Sequence, residues 1–252
     1  MMTNSTVARA SRGLVALALA FGCVAIGAAQ EAPATPSLEG LPDHNLTLSG
    51  DPTRPTVSST DSRRVILCSV RFELQRKGHP FTITRTHSAL LDIRTGPYFG
   101  TGTEKYVIPP NGVRAVEMEG DPGDIVIRAS LDAAMFEDGE FVGPDLNGTY
   151  GQTVAEIQAQ RDLHKALLRG VDAGGRVTGA TWTALGAIAT RKERTQADYG
   201  GFAGRAGITY AENQENFAQE LLRVRASGAD GEASALRLAA GCEFYPTVRR
   251  SK

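Results

Sequence analysis

The side chains best suited to chemistry in this chain are four histidines, three cysteines and one short run of acids. Nucleophilic catalysis needs a serine or cysteine held beside a base. No Gly-x-Ser-x-Gly elbow, Ser-x-x-Lys pair or Cys-x-x-Cys motif occurs, so the usual serine-hydrolase and thiol-exchange signatures are missing. His44, His79, His87 and His164 fall in four separate segments, and no His-x-x-x-His or His-Glu-x-x-His pattern puts two imidazoles on one helix face. Each reads as an isolated surface histidine. No metal site and no cofactor site is expected, since Gly-x-Gly-x-x-Gly and P-loop patterns are missing too.

Glu137, Asp138, Glu140 and Asp145 cluster in sequence. A glycosidase needs two carboxyl groups facing each other roughly 5–10 Å apart, which gives one reading: an exported carboxylate-dependent hydrolase of glycans or peptides using Glu137, Asp138 or Asp145. The other reading is a solvated hairpin, because Asp138-Gly139 between aromatic residues favours a tight turn. Asp145-x-Asn147-Gly148 faintly resembles a calcium loop, but the alternating oxygen ligands are not in register. It reads instead as a helix lead-in whose side chains satisfy free amides. Trp182, at helical phase with Leu185, is expected to pack between the two halves of the chain, with a glycan-stacking platform as the alternative.

Arg9 and Arg12 precede an apolar run, residues 13–29, that ends in Gly27-Ala28-Ala29 and is followed by Gln30-Glu31-Ala32-Pro33. A basic start, an apolar middle, small residues at the exit and a polar continuation describe a secretory signal peptide cut after Ala29. The alternatives are a membrane anchor through an uncleaved N-terminus and acylation at Cys23. Phe21 stands where an acylation site wants a small residue, and six alanines and three glycines in the run make it a weak span. Cleavage removes Arg9 and Arg12 and no acid, leaving 25 basic and 28 acidic residues and a net charge of −3. A chain of that charge, with a pI near 6.4, is not built to hold nucleic acid. The expected location is therefore periplasmic or extracellular, with an envelope or extracellular partner and no stable membrane span after cleavage. Cys68 and Cys242 remain. In an oxidising compartment such a pair is a candidate disulfide, although Cys68 also fits as a small buried hydrophobe.

Elements that could position these groups follow from periodicity. Residues 30–63 are rich in Pro, Ser, Thr, Asp and Gly, and are expected to be linker, with only Asn45-Leu46-Thr47-Leu48 suited to a short edge strand. From Arg64, Ile66, Cys68, Val70, Phe72 and Leu74 recur at every second position, the period of a half-buried antiparallel strand. Further strand-like stretches at 81–93, 106–108, 113–118 and 125–136 are separated by Gly- and Pro-containing turns, which predicts a small β-sandwich over 64–150. Past Gly143-Pro144 the period becomes helical. Helices are expected from 152 or 153 to 168, around 182–189, from 210 to 225 and from 231 to 240, giving an α-helical region over 151–252. Strands followed by helices imply segregated α+β architecture.

The segment LDAAMFEDGEFVGPD (131–145) resembles one found in uncharacterised exported bacterial proteins, where it is the last strand of an immunoglobulin-like sandwich. The helix containing Gln160-Arg161-Asp162-Leu163 and the turn Ile108-Pro109-Pro110-Asn111-Gly112 are similar to features of the same proteins. The resemblance spans roughly residues 64–170 and implies an antiparallel Ig-like β-sandwich followed by a three- to four-helix part. It implies no catalytic residue. The functional expectation is a non-enzymatic exported protein acting by binding or by cell-envelope interaction, with self-association through the helices as a further reading.

Overall fold

The computed structural model describes residues 36–76, 81–90, 107–118 and 123–251. The expected leader with its cut after Ala29, Cys23, His79, the turn at 77–80 and the stretches 91–106 and 119–122 lie outside the described residues.

Strands come first in the chain and helices second, so the architecture is α+β. The strands are β1 (Ser37–Glu39), β2 (Leu46–Asp51), β3 (Arg54–Ser59), β4 (Val65–Arg76), β5 (Thr82–Leu90), β6 (Val113–Ala115), β7 (Asp124–Phe136) and β8 (Glu140–Val142). Four helices follow, α1 (Thr149–Arg169), α2 (Gly179–Ala189), α3 (Gly204–Arg225) and α4 (Gly231–Ala240). A 3-10 turn, Gly241–Phe244, leads to a last short strand, β9 (Arg249–Arg250).

A 6-stranded sheet has the order β5-β4-β7-β8-β9, with β1 also paired to β7, and a 3-stranded sheet has the order β2-β3-β6. Pairing is antiparallel except for β1 on β7 and β9 on β8. Leu46, Leu48 and Val57 of the smaller sheet join Val70, Phe72, Leu74 and Leu131 of the larger one in a single apolar cluster. The alternation anticipated for β4 holds only in its second half. From Val65 to Val70 every residue is buried, because Ile66 and Leu67 pack into a second cluster on the far face with Met135 and Phe141, against Tyr150 of α1. Register shifts along β4 and β7 accompany this change of environment.

Residues 37–59 differ from the expected linker: they form three strands. Composition averaged over that stretch hides a short alternation, in which Leu46, Leu48 and Val57 point into the core while Thr47 and Ser49 face water. The β2–β3 turn is closed locally, Thr53 donating from its backbone N–H and its hydroxyl to Asp51 Oδ1 at 2.8 and 2.7 Å.

In the helical part, α1 and α3 pack together with α2 and α4 around Leu163, Leu167, Phe217, Leu221 and Leu238. Trp182 belongs to this cluster, so it packs within the helical half and not between the halves. Arg225 covers its ring at 4.5 Å from the centroid. Gly200, at φ 60°, lets the chain pass under Tyr210, whose ring atoms would lie 2.5 Å from a Cβ there. Among the described residues, no helix is long and apolar enough to cross a membrane.

Candidate functional site

The β7–β8 hairpin carries Glu137, Asp138 and Glu140, three of the acids singled out in the sequence, and each of them meets an arginine. Arg64 Nε donates to Glu137 Oε2 at 2.7 Å. Arg63 Nη1 donates to Asp138 Oδ2 at 3.1 Å and to Glu140 Oε2 at 2.6 Å, while its Nε holds Asp61 at 3.0 Å. Arg249 reaches Asp138 from β9 at 2.8 Å. The Arg63 guanidinium also lies 4.0 Å over the Phe136 ring, which fixes its plane. Arg64 holds Glu137 below its ordinary value, and Arg63 does the same for Glu140 and Asp61. Partial burial pushes Asp138 up, but the Glu140 backbone N–H and the Arg63 and Arg249 charges outweigh it and leave that carboxyl lowered too. General acid catalysis needs the opposite, a carboxyl kept protonated near neutral pH.

A pH dependence follows. Because these folded-state values lie below the unfolded ones, their stabilisation is complete above the ordinary carboxylate range near pH 4 and is lost as pH falls through the lowered values. Arg63→Gln is expected to cost about 1 kcal/mol in urea unfolding at neutral pH, the scale of part-exposed ion pairs. That gap should shrink at acid pH, as pH falls through the lowered values and the partners take up protons. An equal gap at both pH values would show that Arg63 acts by packing alone.

Asp145, the third candidate, is not at the hairpin tip. It sits in the β8–α1 connection in left-handed backbone conformation (φ 55°), buried beneath Arg250. Its Oδ1 accepts the Tyr150 N–H at 3.1 Å, and its Oδ2 accepts from Arg250 Nη2. The expected lead-in role is therefore met by Asp145, together with Asp132 of β7, which the sequence reading passed over. Fully buried, Asp132 accepts Leu146 N–H at 2.8 Å and Asn147 Nδ2 at 2.9 Å. Arg250 also covers Tyr150, 4.9 Å from its centroid, and Tyr150 meets Phe141 edge-on at 5.2 Å.

Arg250 and Phe141 line an open cavity of about 370 Å³, together with the 3-10 turn Pro42–His44 before β2 and the exit of β8 at Gly143 and Pro144. Arg250, His44 and Asp43 therefore share one cavity lining. The Arg250 side chain is 55% exposed while its counter-ion Asp145 is almost fully buried, so the guanidinium is held rigidly yet open to solvent. His44 was one of the histidines read as isolated.

His164 was another, and it is buried in α1. Its Nδ1 lies 3.1 Å from Glu243 Oε1, and Cys242 Sγ lies 3.9 Å from the same oxygen. Burial, then the neighbouring Glu243 charge, pushes the Cys242 thiol up to about 12. Gln160, one helical turn before His164, is fully buried, and among the described residues neither its Oε1 nor its Nε2 has a partner. Only the i, i+4 spacing of Gln160 and His164 was visible in sequence; nothing there tied them to Cys242 and Glu243.

The candidate disulfide is not formed: Cys68 and Cys242 are both free and buried. Cys68 lies in the core shared by the two sheets, and Cys242 packs with Ile157 and Tyr245 beside α1. Burial pushes the Cys68 thiol up to about 12, consistent with an unreactive buried residue. Comparison of the chain with protein-family models, with curated proteins and with solved structures gives no match.

Proposed function

We propose that this is an exported, non-enzymatic binding protein that holds a small anionic ligand, a carboxylate or phosphate, in the cavity between His44, Gly143 and Arg250. The observation that carries the reading is that an exposed guanidinium and an imidazole line the same open cavity of about 370 Å³. Arginine presents a planar fork of donors matched to such groups, and a volume of this size suits a small molecule. Asp43 on the rim favours ligands that also carry a hydrogen-bond donor. Export is supported by the basic start, the apolar run and the Ala29 exit. An immunoglobulin-like arrangement of the β half is supported by two sheets sharing one core, with the parallel β1–β7 pairing as a departure from simple hairpin topology. The hydrolase reading gains no support from Glu137, Asp138 or Asp145, whose charges are all taken up by arginines.

Thermal unfolding with a panel of small carboxylates and phosphates tests the proposal, since a ligand present at 100 times its Kd adds about 2.7 kcal/mol. At least one member should raise Tm. His44→Ala should remove most of that rise while leaving the ligand-free Tm unchanged. No response to any member, or a response that His44→Ala leaves intact, would count against the cavity.

A further inference from the structure

We infer that His164, Cys242 and Glu243 form a site for a divalent cation of the zinc class, at the junction of α1 and the 3-10 turn after α4. Their donor atoms all lie within 4.8 Å of one another, with His164 and Cys242 buried and Glu243 exposed. Tetrahedral zinc, with bonds of about 2.0–2.3 Å, separates its ligand atoms by about 3.3–3.8 Å. The Nδ1–Oε1 and Sγ–Oε1 separations of 3.1 and 3.9 Å bracket that spacing before any ion arrives. Calcium and magnesium take oxygen ligands, whereas an imidazole, a thiolate and one carboxylate suit zinc.

Gln160 is an independent sign. A buried primary amide almost always finds partners, yet neither polar atom of Gln160 has one among the described residues. It lies one turn before His164 on the buried face of α1. A water in the fourth metal position, which three protein ligands leave open, would give Gln160 Oε1 a donor. Loading exchanges the Cys242 S–H bond for a metal–sulfur bond, and the proton leaves to solvent. The proton that Nδ1 donates to Glu243 moves to Nε2 through solvent, so neutral His164 gives its Nδ1 lone pair to the ion, and Glu243 an oxygen lone pair. The exposed Glu243 forms the solvent side through which the ion enters. The site is separate from the anion cavity and stands or falls independently of it.

Titration of the reduced full chain with Co²⁺, followed by absorption, tests the assignment. One bound ion with a near-ultraviolet thiolate-to-cobalt charge-transfer band is expected, and Zn²⁺ should displace it. Cys242→Ser should abolish the band and Cys68→Ser should leave it unchanged. Gln160→Leu should keep it with metal affinity lowered about 10–100-fold, as for loss of an outer-sphere partner. The folded wild-type chain is decisive even if a variant fails to fold: no thiolate band there overturns the site. A band that survives Cys242→Ser would overturn it as well.

Discussion

Asp132→Ala is expected to destabilise the protein by about 4 kcal/mol in urea unfolding, a large part of the 5–15 kcal/mol typical of a domain. Asp132 is 1% exposed and lies in β7, from which its two oxygens reach across to the β8–α1 connection. Oδ1 accepts from Leu146 N–H at 2.8 Å, and Oδ2 accepts from Asn147 N–H at 3.3 Å and Asn147 Nδ2 at 2.9 Å. Hydrogen bonds to a charged group contribute about 1.5–3 kcal/mol each, and a buried donor left unpaired costs about 1–3 kcal/mol. Three such bonds share one carboxylate, so the losses do not simply add. Asp132→Asn should fall between alanine and wild type, at about 2 kcal/mol. One amide oxygen still accepts, while the NH₂ group confronts donors from Asn147. A loss below about 1 kcal/mol for the alanine variant, within the range of a surface substitution, would show that the connection is held by its other contacts.

The second large effect is expected at Gly143, one strand residue away in space. Its φ of 107° is a conformation that side-chain-bearing residues rarely adopt. A Cβ there would also stand 2.5 Å from the Asp132 carbonyl oxygen and 3.0 Å from Ala133 Cα, both backbone atoms that cannot swing aside. Strain of about 1–3 kcal/mol from the dihedral and a similar overpacking cost put Gly143→Ala at about 3–4 kcal/mol. Gly143 lines the cavity, so the variant that survives should also bind ligand more weakly. Gly123→Ala is the control: its φ is 96°, but among the described residues no atom beyond its chain neighbours lies within 4 Å of the added Cβ, and only the dihedral cost of about 1 kcal/mol should be seen. Equal losses at the two sites would remove the steric part of the explanation.

Both effects concern the same few residues, where the β half hands the chain to the helices. Asp132 and Asp145 hold the connection, and Arg250, which pairs with Asp145, lines the cavity together with His44. Stability and the proposed binding role are thus built from shared contacts. For that reason His44, which lines the cavity without taking part in those hydrogen bonds, is the better probe of binding.

Periodic segments were the most legible in sequence. Gly231 and Ala240 bound α4 where helical spacing placed them, and β4 and β7 occupy the strand stretches expected at 64–75 and 125–136, although in β7 Val126 is buried and Ile125 exposed, against the expected phase. At α1 the helix begins at Thr149, before the expected 152 or 153, because side-chain acceptors on Asp132 and Asp145 satisfy amides that the apolar pattern does not report. Strands β1, β2 and β3 were mostly hidden by the Pro- and Ser-rich composition around Leu46, Leu48 and Val57, since a few alternating apolar residues suffice once a facing sheet covers them. The sites were less legible for a general reason. His44 meets Arg250, and His164 meets Cys242 and Glu243, only through contacts between segments far apart in the chain. The turn at Asp138-Gly139 was visible locally, but its arginine partners come from positions 63, 64 and 249.

An amide-resolved NMR titration of the isotope-labelled chain with inorganic phosphate and with a small dicarboxylate tests the anion cavity most directly. Saturable shift changes confined to residues 41–44, 141–144 and 250–251 are expected for at least one of the two ligands. Unchanged spectra with both, or changes centred on other parts of the chain, would contradict the cavity as the binding site.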